Sequence, residues 1–417
     1  MRSCLIVLTA IGLLTIYSKS WSKILPYPVC RQNSDCHFNE FCLKENCSIS
    51  LGLCTPKPAM CNQTYNPVCA CNGRTYSNIC QANINGQNIA FYGECSDNYT
   101  IWMNLHTENN EVKAYWGSTN PEDTFWIYYA EFPKPRKIYK AYINKLHNLR
   151  VILPYNSSYY VAVSPSENLQ HAKVSNIEYF IIKPIWQPEP GTTWQWQLTQ
   201  PIDTSVQVDM IDVDLFDTPE DVIEELKRQG KIVICYFSAG TFENWREDAI
   251  KFPREVIGKP LKDWPGEYWL DIRRVDVLGP IIKSRLDLAV QKGCDGVEPD
   301  NVDAYMHDTG FPITSEHQLR YNIWLSEEAH KRGLSIGLKN DGDQANILEP
   351  FFDWALVEEC FLYNECGKYE VFINKGKAVF EVEYELAPEV FCPKAKEKGF
   401  SAIKKNITLD REIIQCR

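Results

Sequence analysis

The pattern of apolar and polar residues changes once along the chain. Residues 98–183 contain segments such as TIWMNLH, FWIYYAEF, RVILP and YYVAVS, in which apolar and polar positions alternate between clusters of Asn, Pro and Ser. This period of two predicts short antiparallel strands, and we expect a small all-β sandwich there. From Trp186 onward apolar strands alternate with amphipathic helical segments, which predicts a parallel sheet built from β-α repeats.

The C-terminal repeats are numerous enough to predict a closed barrel. The segment VDMIDVDLF predicts a buried strand, an amphipathic helix follows and stops at Gly230, and KIVICYF begins the next strand. Further strands are predicted at VEPD after Gly296, SIGLK, WALVE and AVFEV, with helices around residues 277–292 and 318–332. This count approaches that of an α/β TIM-like (β/α)8 barrel, which takes roughly 250 residues.

The N-terminus and the cysteines predict an exported protein. Met1 and Arg2 precede an apolar run from Cys4 to Tyr17, so residues 1–22 are assigned as a secretory signal peptide. No later apolar stretch approaches the roughly 18 residues of a membrane span, and we expect a secreted, extracellular protein that does not enter membranes. Without Cys4, sixteen of the seventeen cysteines remain, and disulfides are expected rather than a metal site. Five candidate glycosylation sequons fit export: Asn46, Asn62, Asn98, Asn156 and Asn406.

The distribution of cysteines and charge suggests three domains and excludes one class of partner. Ten cysteines lie between Cys30 and Cys95, none lies between Cys95 and Cys235, and six follow. We therefore divide the mature chain into a disulfide-rich module at 23–96, the sandwich at 97–184 and the barrel at 185–417. The net charge of −11 argues against a nucleic-acid partner, which needs a basic surface, and suits a cationic substrate.

Two N-terminal segments resemble known modules. Residues 61–95, CNQTYNPVCACNGRTYSNICQANINGQNIAFYGEC, resemble a Kazal-type domain. The resemblance implies a protease-contact loop with Gln63 at its specificity position, although a glycan on Asn62 would block it. The alternative is a spacer or a unit that attaches to a matrix surface. The run LPYNSSYYVAV resembles the penultimate-strand region of fibronectin type III domains, and the alternative there is a generic sandwich that serves as a spacer or binds carbohydrate.

Acidic residues recur where the barrel strands end, which is where catalytic residues of such barrels lie. Carboxylates that converge on a cleft can divide the roles of acid and nucleophile or base, and glycoside hydrolysis requires such a pair. Histidine is scarce and without metal-ligand spacing, so no metal site is expected. The strand-end acids are Asp212, Asp214, Asp217, Glu298, Asp300, Asp303, Glu358, Glu359, Glu381, Glu383 and Glu385.

Residues 186–416 resemble glycoside hydrolase family 114, the endo-α-1,4-polygalactosaminidases. The resemblance is carried, in a fixed order, by WQWQL, DVDLFDT, ICYFSAGTFENWREDA, WPGEYWLDIR, GCDGVEPDNVDAY, GLKND, FDWALVEECFLYNEC and VFEVEY. It implies hydrolysis within chains of α-1,4-linked galactosamine and N-acetylgalactosamine, without a cofactor. The alternatives are a carbohydrate-binding protein that has lost turnover and a protease inhibitor that acts through the Kazal-like module.

The resemblance implies Asp300 and Glu358 as the catalytic pair. Asp300 is the expected nucleophile and Glu358 the expected acid/base; strand alternation lets only one of Glu358 and Glu359 face the cleft. Carboxyl groups roughly 5 to 5.5 Å apart would indicate a retaining enzyme and about 6.5 Å or more an inverting one. Lys339 is expected beside one carboxylate. Residues expected to bind sugar or orient the carboxylates are Asp212, Tyr236, Glu243, Trp245, Arg246, Asp271, Asn301, Asp303, Lys339, Asn340 and Tyr384.

Two features of the barrel stay open at the level of sequence. Arg246 with Asp248 or Glu243 is either part of the site or a structural ion pair. The six barrel cysteines suggest three bonds, whose connectivity the sequence does not determine: Cys235 with Cys294, Cys360 with Cys366, and Cys392 with Cys416.

Overall fold

The computed structural model describes residues 29–44, 47, 51–61, 64–95, 100–120, 123–144, 146–168 and 173–416. The expected signal segment 1–22, Gln63 and the sequons at Asn46, Asn62 and Asn98 lie outside these residues. The sequons at Asn156 and Asn406 lie within them, and both asparagines are exposed. Among the described residues, no helix combines the length and the apolar character needed to cross a membrane.

Two small antiparallel sheets and five disulfides form the N-terminal region. The sheets have the orders β1-β3-β2 and β5-β4-β6. Their elements are β1 (Val29–Cys30), β2 (Glu40–Leu43), β3 (Gly52–Pro56), β4 (Val68–Ala70), β5 (Thr75–Tyr76), helix α1 (Ile79–Ile84) and β6 (Ile89–Tyr92), with a 3-10 turn at Asn33–Asp35. The bonds are Cys30–Cys42, Cys36–Cys54, Cys47–Cys71, Cys61–Cys80 and Cys69–Cys95. Because Cys71 pairs with Cys47, the segment 61–95 is covalently tied to the residues before it, and its Kazal-like identity stays a prediction.

Residues 101–182 form a three-stranded and a four-stranded antiparallel sheet, of orders β11-β8-β7 and β10-β9-β12-β13. The strands are β7 (Ile101–Glu108), β8 (Glu111–Ser118), β9 (Phe125–Glu131), β10 (Tyr139–Asn144), β11 (Asn148–Ile152), β12 (Ser157–Ser164) and β13 (Glu178–Ile182). Apolar side chains of both sheets, including Trp116, Phe125 and Val163, pack in one buried cluster. The likeness to fibronectin type III domains stays a prediction.

The C-terminal region is a curled nine-stranded sheet with helices, which is an α/β, barrel-like fold. Its order is β14-β15-β16-β20-β21-β22-β23-β24-β25, parallel up to β24, with β25 antiparallel. In chain order the elements are β14 (Trp194–Trp196), β15 (Met210–Asp214), α2 (Glu220–Arg228), β16 (Ile232–Ser238), β17 (Thr241–Glu243), β18 (Ile257–Pro260), β19 (Glu267–Leu270), α3 (Val275–Lys292), β20 (Gly296–Asp300), α4 (Ser315–Lys331), β21 (Ser335–Lys339), α5 (Ala345–Leu348), β22 (Trp354–Glu358), α6 (Glu370–Ile373), β23 (Val379–Glu383), α7 (Pro388–Lys398), β24 (Ser401–Lys404) and β25 (Ile414–Gln415). The 3-10 turns are Ala249–Lys251, Arg254–Val256, Ala304–Met306, Gly342–Gln344, Glu349–Phe351 and Cys366–Tyr369.

The curl brings the first and the eighth parallel strands together. The indole nitrogen of Trp194 on β14 donates a hydrogen bond to the carbonyl of Ser401 on β24 at 2.7 Å. The barrel is less regular than eight equal β-α repeats, because β14 and β15 are joined by residues 197–209 without a helix. This segment, QLTQPIDTSVQVD, lacks the apolar spacing of an amphipathic helix. In addition, the antiparallel sheet β17-β19-β18 is inserted between β16 and β20.

Three disulfides brace the barrel, with the pairing suggested for its six cysteines: Cys235–Cys294, Cys360–Cys366 and Cys392–Cys416. Gly337 on β21 shows how tightly the interior packs. A Cβ atom at this position would lie 2.2 Å from the ring of Trp354 on the next strand, so only glycine fits there.

The two N-terminal regions pack against helix α4 of the barrel around one buried carboxylate. Glu327 forms an ion pair with Arg31 of the disulfide-rich region at 3.1 Å and lies 3.2 Å from Nδ1 of His106 on β7. Burial opposes ionisation, but the hydrogen bond and the charge of His106, followed by the charge of Arg31, lower the pKa of Glu327 to about 2. Leu51 and Leu53 join the apolar core of the barrel. The described parts of all three regions therefore meet at α4.

Replacing Glu327 with Gln is expected to lower the free energy of unfolding by about 3 kcal/mol at neutral pH, because Arg31 loses its buried counter-charge. The folded pKa lies below that of an unfolded glutamate, so this stabilisation is complete above pH 4.5 and is lost as the pH falls towards 2. Thermal unfolding from pH 3 to 7 measures it. Asp308→Asn, which breaks an exposed ion pair with Lys259, is the control and should have little effect. An unchanged unfolding curve for Glu327→Gln would contradict this account.

Candidate active site

A cleft of about 1270 Å³ opens at the carboxyl ends of the barrel strands. Four strands contribute polar side chains to it. Tyr236 lies near the end of β16, and Asp300, Lys339 and Glu358 are the last residues of β20, β21 and β22. Parallel strands end at the same edge of a sheet, so residues far apart in the sequence meet there.

The ammonium group of Lys339 lies at the centre of the cleft floor. Its Nζ atom is 2.9 Å from Oδ1 of Asp300, 3.0 Å from Oε1 of Glu298 and 3.3 Å from Oε2 of Glu358. Only 2% of the lysine side chain is exposed. Burial opposes the charge, but Asp300, Glu298 and Glu358 together hold the pKa of Lys339 well above its ordinary value. The site therefore contains a permanent buried cation shared by three carboxylates.

Asp300 receives two further hydrogen bonds. The hydroxyl of Tyr236 donates to its Oδ2 at 3.2 Å, and the backbone N–H of Asn301 donates to its Oδ1 at 2.8 Å. Gly240 allows this arrangement, because a Cβ atom there would lie 1.7 Å from the carbonyl oxygen of Asn301. The Asp300 carboxylate is thus fixed on one side by Tyr236 and on the other by Lys339, while a fifth of its surface stays open to the cleft.

Glu358 is held by two side chains that follow the neighbouring strands β21 and β23. The hydroxyl of Tyr384 donates to its Oε1 at 2.6 Å, and the side-chain amide of Asn340 donates to its Oε2 at 3.1 Å. Its own backbone N–H donates to the amide oxygen of Asn340 at 3.1 Å. Glu358 forms an ion pair with Lys339, whereas Glu359 forms none with that lysine among the described residues. Both glutamates line the cleft, so the expectation that only one would face it is wrong: Glu359 follows the strand in a left-handed conformation, where strand alternation no longer applies. The structure thus brings Asp300 and Glu358 together on one cation.

The backbone turns sharply directly after β20, β21 and β22. Asn301, Asn340, Asp341 and Glu359 all have positive φ angles, of 60°, 49°, 53° and 54°. This left-handed conformation is uncommon outside glycine, and Asn and Asp adopt it more readily than other residues. Such conformations concentrate at functional sites, where the surrounding fold holds them in place.

Two residues expected to contact substrate do not reach the cleft surface. Asp212 is the third residue of β15 (Met210–Asp214) and is fully buried. Its burial and the charge of Glu298 raise its pKa well above the ordinary value. Asp271 is also buried and accepts two hydrogen bonds from Arg273, at 2.7 and 2.8 Å. The other expected binding residues, Tyr236, Glu243, Trp245, Arg246, Asn301, Asp303, Lys339, Asn340 and Tyr384, line the cleft.

Arg246 forms a buried ion-pair network in the cleft wall. Its guanidinium donates to Asp214 at 3.0 and 2.6 Å and to Glu243 at 2.9 Å. Asp248, the other partner considered from the sequence, instead accepts two hydrogen bonds of 2.8 Å from Arg285. Of the two partners considered from the sequence, Arg246 therefore pairs with Glu243. The ion pair braces the wall, and Arg246 also lines the cleft.

The inserted sheet contributes a carboxyl group that the sequence reasoning missed. Glu267 lines the cleft and accepts hydrogen bonds from the hydroxyl of Thr241 and from the amide of Asn301, the latter at 3.2 Å. Burial is the main reason that its pKa rises to about 7. Glu267 lies on β19 rather than on a barrel strand, so a search of strand ends does not find it; the WPGEYW motif that contains it was the available signal.

The rim of the cleft is aromatic. The side chains of Trp245 and Trp264 are half exposed at the cleft, where their flat rings can stack on sugar faces.

Among the described residues, the one cluster with ligand atoms close enough for a metal ion is Cys30, Cys36 and Cys54. All three are in disulfides and cannot act as thiolate ligands.

A protein-family model matches the region of the chain that contains this cleft. The model of glycoside-hydrolase family GH114 matches residues 180–417, more than half of the chain. The chain belongs to family GH114. The GH114 domain thus covers the curled sheet and all of the cleft, and the protein is a glycoside hydrolase.

Similar proteins come from a fungus, an archaeon and a bacterium. The crystal structure of Aspergillus fumigatus Ega3 in complex with galactosamine is 42% identical, with a TM-score of 0.53, and the match covers 55% of this chain and 97% of that one. The uncharacterized protein MJ1477 of Methanocaldococcus jannaschii is 31% identical over 197 residues, which are 40% of this chain and 55% of that protein. An uncharacterized protein of Deinococcus radiodurans is 24% identical over 236 residues, 49% of this chain and 75% of that protein. The chain thus spans nearly the whole of the crystallised Ega3 chain but about half the length of MJ1477.

Replacing Lys339 with Met is expected to lower kcat at least 100-fold and the free energy of unfolding by about 3 kcal/mol, because three carboxylates lose their shared buried cation. Lys368→Met is the matched control: Lys368 lies at the cleft rim, is a third exposed and pairs with Asp343 and Glu365. Steady-state kinetics and thermal unfolding of both variants measure the effects. Wild-type kcat in the Lys339 variant would contradict the role given to this residue.

The raised pKa of Glu267 predicts a pH dependence of stability. The folded protein holds the Glu267 proton up to about pH 7, whereas an unfolded glutamate releases it near pH 4.5. The stabilisation is therefore complete below pH 4.5 and is lost as the pH rises to 7. Thermal unfolding of the wild type and of Glu267→Gln from pH 4 to 8 should show the wild type losing stability relative to the variant across this window. A constant difference would be inconsistent with the buried, protonated carboxyl group.

Proposed function

We propose that this protein is an endo-acting glycosidase that cleaves polysaccharides of α-1,4-linked galactosamine and N-acetylgalactosamine. In this proposal Asp300 is the nucleophile and Glu358 the general acid/base of a retaining mechanism. The observation that carries it is the placement of both carboxylates on the single ammonium group of Lys339, at the open floor of the cleft.

The geometry supports retention of configuration. The nearest oxygens of Asp300 and Glu358 lie 2.9 and 3.3 Å from the same nitrogen atom. Whatever the angle at that nitrogen, these two oxygens are at most about 6 Å apart, which is compatible with the roughly 5 to 5.5 Å spacing of the carboxyl groups in retaining enzymes. A retaining enzyme needs no water between the pair, because its nucleophile is itself a carboxylate.

In the first step Oδ2 or Oδ1 of Asp300 attacks the anomeric carbon while Glu358 gives its proton to the departing glycosidic oxygen. A covalent glycosyl ester on Asp300 forms as the bond to the leaving sugar breaks. In the second step Glu358 takes a proton from water, and the resulting nucleophile releases the sugar and restores the Asp300 carboxylate. Lys339 is closer to Asp300 than to Glu358, at 2.9 against 3.3 Å, which supports Asp300 as the anionic partner.

The charge of the cleft supports an amino sugar as substrate. Twelve Asp and Glu side chains line it, against five Lys and Arg side chains, so its field attracts the ammonium groups of deacetylated galactosamine. Ega3, which shares 42% identity with this chain, was crystallised with galactosamine. The cleft volume exceeds that of most small-ligand pockets, roughly 300 to 1,000 Å³, which suits several sugars of a chain.

The proposal includes export. The eight disulfides of the described residues would form in an oxidising compartment, as the signal-like N-terminus predicts. Inhibition of a serine protease through Gln63 stays a prediction from the Kazal-like sequence. It has its own test, an inhibition assay with common serine proteases.

Incubation with purified galactosaminogalactan, in acetylated and deacetylated forms, tests the function. Wild type is expected to release oligosaccharides of several lengths, read by mass spectrometry, whereas Asp300→Asn and Glu358→Gln should lose at least about 10³-fold in rate, because each lacks one half of the chemistry. Glu365→Gln, a change at the exposed cleft rim, is the matched control and should stay close to wild type.

Two results would count against the proposal. A folded wild type that releases no product from either polymer would point to a carbohydrate-binding protein instead. Full activity in either catalytic variant would show that another carboxylate, such as Glu267, performs the missing role.

A further inference from the structure

One stretch of the β-sheet region carries a charge opposite to that of the whole protein. The net charge of the chain is −11, yet residues 132–166 contain no Asp or Glu. The same stretch holds six basic residues: Lys134, Arg136, Lys137, Lys140, Lys145 and Arg150. Such a run within an acidic protein is a localised positive potential and selects for an anionic partner.

The fold places this run on a free edge. Strand β10 pairs only with β9 and forms one edge of the sheet β10-β9-β12-β13. The other edge, β13, carries Glu178 and Tyr179, which contact Lys331 and Asp287 of the barrel helices. Strand β10 is thus the strand of this sheet farthest from β13 and its contacts with the barrel. An open strand edge offers hydrogen bonds to a linear ligand.

Aromatic rings hold the cations on this edge. The ammonium of Lys137 lies 5.0 Å from the ring centre of Tyr139, and that of Lys140 lies 5.4 Å from the ring of Trp126. Tyr142 packs against Trp126 at 5.1 Å, and about half of its own surface is exposed. Lysines restrained in this way lose less side-chain entropy when they bind a ligand. We call Lys134, Arg136, Lys137, Tyr139, Lys140, Tyr142 and Trp126 the β10 edge.

The basic groups of the β10 edge are available for a partner. Lys134 and Arg136, in the exposed loop before β10, form no ion pair within the described structure. Lys140 pairs with Glu167 at 3.2 Å, but both side chains are largely exposed, so the pair is weak and exchangeable. Exposed cations beside aromatic rings, along an extended strand, match a polymer that alternates sugar rings with sulfate or carboxylate groups.

We propose that the β10 edge binds a linear anionic polysaccharide of the sulfated glycosaminoglycan class. This binding site is separate from the catalytic cleft, whose excess of carboxylates repels the same polymer. It does not depend on the cleft's substrate. If the cleft cuts a cationic polymer, as proposed above, the two sites would serve opposite charges: the β10 edge would hold the protein in an anionic matrix and leave the cleft free for its substrate.

Binding of the full secreted chain to immobilised heparin and chondroitin sulfate, at low and at physiological salt, tests the proposal. We expect binding that weakens with salt, because counterions compete for the basic groups. Lys134→Glu/Arg136→Glu should weaken it at least tenfold and Tyr142→Ala severalfold, with hydrolytic activity unchanged in both. The matched control is Lys375→Glu/Lys394→Glu, which makes the same charge change at exposed positions of the barrel and should bind like wild type.

Three outcomes would overturn the proposal. The first is no binding of wild type to either polysaccharide. The second is an equal loss in the barrel control, since that would show a response to net charge rather than to the β10 edge. The third is tighter binding to anionic phospholipid vesicles or to double-stranded DNA than to the polysaccharides, which would assign the edge to a different partner. Circular dichroism of each variant separates a lost site from a lost fold.

Discussion

The buried ammonium group of Lys339 is the interaction on which the active site depends. Asp300 and Glu358 approach each other at the cleft floor, with Glu298 directly below, and three carboxylates at such distances would repel one another without a cation between them. Lys339 also lies 4.6 Å from the ring centre of Trp196, a further contact that favours its positive charge. One fixed charge thereby allows two carboxylates to lie close together at the floor of the cleft.

The barrel supplies this arrangement through where its strands end. Strands β20, β21 and β22 are neighbours, and each delivers one member of the triad Asp300, Lys339 and Glu358 at its last residue. A residue in the left-handed conformation follows each of these strands, so the chain turns directly after the side chain that it delivers. The buried ion-pair network of Arg246 braces the neighbouring wall of the cleft. Rigid support of this kind keeps catalytic groups at reacting distance.

Much of this could be predicted from sequence, because the strongest signals were local. The strands VEPD, SIGLK and WALVE and the helices near 277–292 and 318–332 appear in the structure within a few residues of the predicted bounds, since long apolar periods leave little choice of element. Pattern alone could not show depth: Asp212 and Asp300 both stand near strand ends, yet only Asp300 reaches the cleft. Nor could it find Glu267, whose place depends on an inserted sheet, or the sharing of Lys339 by three carboxylates, because these are contacts between distant segments.

The central claim is that Asp300 and Glu358 act together as a closely spaced pair around Lys339. The anomeric configuration of the first product tests this most directly, and proton NMR during the first minutes of hydrolysis of an α-1,4-linked galactosamine oligomer can read it before mutarotation. The close pair predicts retention, so the α-anomer should appear first. Initial release of the β-anomer would mean inversion, which requires water between the carboxyl groups, and would contradict the account of this site.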